Sequence, residues 1–177
     1  MSIPSLFSGA SSSLKCGHEE SAIEFWYGVA CMANPAHVAK LKEGVEPWNQ
    51  WRSENPDIRV DLADANLSGM NLSGADLKRV DLGGSDLGGA SLRRAQLNES
   101  NLAMAKFVGA DLRNANLGAA RLIVTNFDEA DLREANLSVG EIRDSSFVGA
   151  DLKRFRCEVQ GVSGLWPVRG GLGVNLN

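Results

Sequence analysis

Two histidines and three cysteines are all that this chain of 177 residues holds of the commonest catalytic bases and soft metal ligands. His18 and His37 sit in the N-terminal third, and no Ser-His-Asp or Cys-His set shares a location with them. Cys16, His18 and Cys31 could be drawn together around a metal, but a structural zinc site wants four ligands. The cysteines, Cys16, Cys31 and Cys157, are odd in number and irregular in spacing. That argues against a disulfide framework and fits a reducing cytoplasm. Long apolar runs are lacking: no stretch reaches the roughly 18–20 residues of a membrane span. Strong charge of one sign is lacking too. A formal net charge of −4 is too mild to argue for nucleic acid or an anionic membrane. The glycine pairs Gly83-Gly84 and Gly88-Gly89 have no following helix and no Lys, which excludes a phosphate-binding loop. No cofactor and no metal are expected.

What the chain does have is a period. From Leu62 to Leu152 every fifth residue is large and apolar, and three of them, Phe107, Phe127 and Phe147, are aromatic. A repeat this regular marks a repeat architecture. A helix turning about 100° per residue would spiral these positions round its cylinder. A flat strand would send alternate ones to opposite faces. Only a chain that bends once per repeat can bury them all. Two residues before each large position stands a small one, with Val60, Met70 and Val80 as exceptions. Two apart in an extended segment means the same face, so each repeat turns one small and one large side chain inward. Between them comes Asp or Asn in most repeats, a residue whose short side chain can hydrogen-bond nearby backbone. Gly69, Gly74, Gly84, Gly89, Gly109 and Gly149 follow the large position by two, where a type II turn needs positive φ. Other repeats carry a larger residue there, such as Arg79 or Val139, so not every corner need be of that type.

The phenylalanines are twenty apart, and so are Val60 and Val80. Twenty residues is four repeats. A four-sided coil stacks the three rings in one column, whereas a three-sided coil would scatter them. Leu62, Leu82, Leu102, Phe107, Phe127, Phe147 and Leu152 are then core residues of about five coils. The packed interior leaves no lumen and no apolar pocket for a ligand.

The units AspLeuAlaAspAla (61–65), AlaAspLeuLysArg (75–79), AlaAspLeuArgAsn (110–114) and AlaAspLeuArgGlu (130–134) resemble those of the pentapeptide-repeat family, A(D/N)LXX. The resemblance covers about 95 residues, from Val60 to Arg154. It implies an all-β solenoid, a right-handed quadrilateral parallel β-helix, and a bacterial-type protein. It implies little about function.

Four segments are expected: a leader at 1–33, a helical N-terminal cap at 34–56, the β-helix at 57–155 and a degenerate tail at 156–177. In the leader, Gly28-Val29-Ala30-Cys31 is a loose match to a lipoprotein box, opposed by Glu19, Glu20 and Glu24 ahead of it. Met32 is an alternative start, which would place 1–31 outside the native protein. Asn34-Pro35 predicts a helix near 35–43. A second is expected near 47–53, with Pro47 in its first turn. The stretch 37–52 also resembles the helical leader found ahead of many pentapeptide arrays. Leu41, Val45, Trp48 and Trp51 would close the open end of the solenoid, the edge problem of any repeat protein. Register decays after Arg154, where Leu165 and Trp166 could fold over the last coil.

Enzyme activity is not expected, and a rigid protein-interaction or scaffold module is. The alternative is a DNA mimic that binds gyrase, as in the quinolone-resistance members of the family that the chain resembles. That would need a strongly acidic rod. From Asp61 to Arg154 there are ten Asp and four Glu against eleven Lys and Arg, a net of 11 − 14 = −3. One outward column reads Ser73, Arg93, Arg113, Arg133, Lys153, beside a second of Asn71, Ser91, Asp111, Asp131, Asp151. The cationic column is either a solvated face or a dock for an acidic protein partner. Met104, Ile123 and Val124, on another side, form a candidate self-association patch for a homodimer. No direct nucleic-acid binding is expected.

Overall fold

A computed structural model describes residues 33–138 and 141–156. Helix α1 spans Pro35–Lys42 and α2 spans Val45–Glu54. Asn34 begins α1, its side chain accepting a hydrogen bond from the Ala36 N–H at 2.9 Å. Gly44, at φ 119°, makes the sharp turn between the helices. Pro47 falls in the first turn of α2, where its missing N–H costs little.

From Asp61 onward the chain is a parallel β solenoid with a period of twenty residues. Bridges pair Asp61 with Asp81, Asn66 with Asp86, Asn71 with Ser91 and Asp76 with Gln96, and continue coil upon coil to Asn136 with Arg156. One side widens into two short strands, β1 (Arg121–Ile123) and β2 (Glu141–Arg143), in parallel register. The four sides are identified by their inward residues. Side one carries Leu62, Leu82, Leu102, Leu122 and Ile142. Side two carries Leu67, Leu87, Phe107, Phe127 and Phe147. Side three carries Leu72, Leu92, Leu112, Leu132 and Leu152. Side four carries Leu77, Leu97, Leu117 and Leu137. All but Ile142 are buried, and Ile142 is partly buried. The Phe rings stack at centroid distances of 4.8 and 5.0 Å, nearly coplanar in orientation. That distance is the rung spacing of the backbone itself.

Most corners are closed by a hydrogen bond from the next small residue back to the large one, as in Ala65 N–H to the Leu62 carbonyl, while at the Val124 corner the Thr125 N–H goes instead to the Ser145 hydroxyl of the next coil. The sequence left the non-glycine corners open; every described corner uses positive φ, twelve of them with non-glycine residues between φ 50° and 62°. The rungs above and below set the geometry, and the corner residue conforms to it. All thirteen Asp and Asn residues before a large position accept from the N–H two residues on, from Asp61 with Ala63 to Asp151 with Lys153. Ser85, Ser100 and Thr125, which stand at inward small positions, donate their hydroxyls to backbone carbonyls.

The register also outlasts the expected decay after Arg154, since Leu137 and Arg156 still exchange rung hydrogen bonds with their neighbours. Val139, Cys157, Leu165 and Trp166, and the leader up to Met32, lie outside the described residues.

Corner strain gives a stability prediction. Ala119 sits exposed at φ 55°, with no side-chain bond to lose. A left-handed L-residue costs roughly 1–2 kcal/mol, of which glycine's greater freedom in the unfolded chain returns about half. Ala119→Gly should therefore raise stability by about 0.5–1 kcal/mol in urea titrations, the reverse of the usual effect of adding glycine.

Candidate functional site

The first coil meets the helices through side chains that stand in for missing rungs. Trp48, fully buried, donates its indole N–H to the Asp76 carbonyl at 2.8 Å. Asn49 accepts from the Asp76 N–H and donates to the Gly74 carbonyl. Arg52 reaches the Lys78 and Ile58 carbonyls, and His37 Nδ1 accepts from the Asp61 N–H. Leu41 is buried beside Trp48, with Val45 and Trp51 partly buried against the same core. Asn49 and Arg52 were not singled out in the sequence, because nothing local marks a polar helix residue as a rung substitute.

Between α2 and side four lies a shallow polar cleft of about 280 Å³, whose lining includes Arg52, Asp76, Lys78 and Asn98. Arg79 and Glu99, also on its wall, pair with each other at 2.9 Å. Among the described residues no group of His, Cys, Asp and Glu is arranged to hold a metal ion. No helix among the described residues is long and apolar enough to cross a membrane.

Side three carries the charged columns. Arg113 donates from Nε and Nη2 to the two oxygens of Asp111, at 2.8 and 2.6 Å, and lies 3.3 Å from Asp131. Arg133 repeats the fork on Asp131 and approaches Asp151 at 3.7 Å. Arg93 lies 3.6 Å from Asp111, and Lys153 4.0 Å from Asp151. The result is a zipper of alternating sign across neighbouring coils. Hydrogen bonding from Arg113 holds the Asp111 carboxyl below its usual range, against the opposing pull of partial burial. Arg133 does the same to Asp131. The matching guanidinium pKa values are raised. The candidate column Arg93, Arg113, Arg133 and Lys153 is thus assembled side by side, with each cation already facing a carboxylate.

A pH dependence follows. A carboxyl whose folded-state pKa is depressed adds stability above its unfolded pKa, near ~4, and loses it as pH falls through the folded value. Replacing Asp111 and Asp131 together by Asn should flatten the fall of stability below about pH 4. Acid titrations of both chains in urea would measure it. An unchanged acid limb would show that the zipper adds nothing to folding.

The second surface is the edge between sides one and two. Met104 and Val124 stand at successive corners there, 63% and 54% exposed. Val108 and Val148, on the adjoining side two, are exposed as well. Ile123 is half-buried. The two valines were not named in the sequence reading, although their phase, one residue after an inward Phe, placed them outward.

The four-sided coil, the filled core and the uniform corners define a β solenoid built from five-residue steps. The chain belongs to the pentapeptide-repeat family: the model for pentapeptide repeats matches it in eight copies, over residues 58–94, 75–114 and 115–155. It is similar to HetL, a pentapeptide-repeat protein involved in heterocyst differentiation regulation in the cyanobacterium Nostoc sp. strain PCC 7120. That likeness runs at 34% identity over 53% of this chain and 42% of HetL, with a TM-score of 0.51. A second similar structure is Rfr23 of the cyanobacterium Cyanothece 51142, at 32% identity over 48% of this chain and 58% of that one, TM-score 0.40. QnrB1, a plasmid-mediated fluoroquinolone resistance protein, aligns at 17% identity over 51% of this chain and 65% of its own, TM-score 0.32. No curated protein matches the chain.

Proposed function

We propose that this chain is a rigid, non-catalytic protein-interaction module, a right-handed solenoid of about five coils closed at its N-terminal end by α1 and α2. The observation that carries this reading is how the acidic residues are used. The thirteen Asp and Asn residues that precede a large position are engaged in closing their own turns, and much of the remaining charge is paired in ladders over flat sides. Such a surface offers binding by shape and pattern, and the cleft beside α2 is shallow and polar. HetL, to which the chain is similar, is involved in heterocyst differentiation regulation, a kind of role that an interaction module can serve.

The gyrase-binding alternative needs dense charge of one sign. Side three alternates sign at every rung, whereas duplex DNA carries one negative charge per ~1.7 Å. Supercoiling by purified gyrase should proceed unchanged with the protein present at stoichiometric amounts. Potent inhibition would replace the present reading with the mimic.

The interaction reading is tested by affinity capture with the intact chain and with Arg113→Glu combined with Arg133→Glu. Capture of a defined protein by a folded bait, weakened by salt and by the double change, supports docking on side three. A bait that enriches nothing beyond an unrelated solenoid of the same size would sink it.

A further inference from the structure

We propose that the cleft between α2 and side four captures the C-terminal residue of a partner polypeptide. The inference rests on the interaction-module reading and gives the partner a chemistry. Arg52 is the one charged residue buried among the described residues, at 8% exposure. Its Nη1 and Nη2 groups donate to the Ile58 and Lys78 carbonyls, at 3.3 and 2.9 Å. Those acceptors are neutral, and no carboxylate among the described residues pairs with the guanidinium. A buried charge without a counter-ion is costly. Two buried side-chain atoms among the described residues have no hydrogen-bond partner: Arg52 Nε, a donor, and Asn98 Oδ1, an acceptor. Both residues line this one cleft. Buried polar groups are nearly always paired, so an orphan donor and an orphan acceptor at the same cleft point to an occupant that supplies both partners.

The charges on the walls favour an anion. Arg52, Lys78 and Arg79 stand against Asp76 and Glu99, a sum of 3 − 2 = +1. Arg79 and Glu99 satisfy each other at 2.9 Å. Asp76 gives one oxygen to the Lys78 N–H. The Lys78 side chain is exposed and has no ion-pair partner among the described residues. Lys78 and Asn98, twenty apart, stand one above the other on side four. The occupant must bring a negatively charged acceptor for Arg52 and Lys78, and beside it a donor for Asn98. A bare carboxylate has the first and lacks the second. The last residue of a polypeptide has both: its α-carboxylate accepts, and its own amide N–H, one Cα away, donates. Capture of a C-terminal carboxylate is a recurring mode of peptide recognition. The volume of about 280 Å³ lies just under the ~300–1,000 Å³ of small-molecule pockets, which suits one terminal residue. Lys78, Arg79 and Glu99 are long, exposed side chains that can shift rotamer to admit it.

Titration of the nitrogen-15-labelled full chain with the peptide acid N-acetyl-Ala-Ala-Ala, followed by amide chemical shifts, tests the proposal. Shifts should cluster on Arg52, Lys78 and Asn98 and saturate with a dissociation constant of about 1 mM. The same peptide ending in a carboxamide should bind roughly tenfold more weakly, because the charged acceptor is lost. Asn98→Ala removes an acceptor that holds nothing in the free chain, and should weaken the peptide acid by about tenfold. Asn98→Asp should abolish binding and raise the melting temperature, since it supplies the buried guanidinium with its missing counter-ion. Absence of shifts at tens of millimolar peptide (roughly ten times that constant or more) overturns the site. Equal binding of acid and carboxamide overturns it, as does an Asn98→Ala chain with wild-type affinity. Inorganic phosphate that binds as tightly as the peptide would also overturn it, by showing a plain anion site. Each of these outcomes leaves the interaction-module reading to its own capture test, which uses residues of side three.

Discussion

Phe127→Asp should abolish cooperative folding. Phe127 is fully buried and lies between Phe107 and Phe147, with ring centroids 4.8 and 5.0 Å away. A carboxylate there has no cation within the filled core, and burying an unpaired charge costs more than a domain's whole margin. The milder Phe127→Ala should cost about 3–5 kcal/mol, because the column above and below is held by backbone rungs and cannot collapse into the gap. Urea denaturation followed by circular dichroism separates the two. A Phe127→Asp chain that still melts in a single sharp transition would mean that the column is not in the core.

Trp48→Ala should be the second largest loss. The indole is fully exposed to no solvent, closes over the first coil and donates to the Asp76 carbonyl. Truncation removes about 3–5 kcal/mol of packing and leaves a rung carbonyl without its donor, a further ~1 kcal/mol. The effect should also be directional. In a solenoid each coil leans on its neighbours, so opening begins at the uncovered end. Amide exchange should quicken first from Leu62 to Leu77 and last near Leu112. Uniform acceleration along the whole array would contradict a capping role for α2.

The architecture was readable because a period of five has few solutions. Neither helix nor strand can bury Leu62, Leu67 and Leu72 on one side, and Phe107, Phe127 and Phe147 then decide between three sides and four. The Asp and Asn turns followed from chemistry alone. The corners did not. Propensity assigns positive φ to Gly84 and denies it to Val124, yet both adopt it, because the rungs on either side leave a corner residue no other path. The columns of side three were legible, since period twenty places Arg113 beside Asp111 and Asp131. Their closeness was not, because the forks of 2.6 to 2.8 Å depend on rotamers. Asn49 and Arg52 were illegible for a different reason: apart from Ile58, their partners are backbone groups 25 or more residues away, and backbone has no signature in sequence.

Everything proposed for the surface rests on residues twenty apart forming one column. Asn114, Glu134 and Glu129 are all exposed corner residues, suited to labels. With Cys16, Cys31 and Cys157 replaced by serine, Asn114→Cys can be paired with Glu134→Cys or with Glu129→Cys and labelled with pyrene. The four-sided coil puts the first pair on one edge, one rung or ~4.8 Å apart, and the second pair on different edges. Strong excimer emission from the 114–134 pair, with mainly monomer emission from 114–129, is the predicted result. Stronger excimer emission from the pair fifteen apart would contradict the four-sided coil and every column drawn on it.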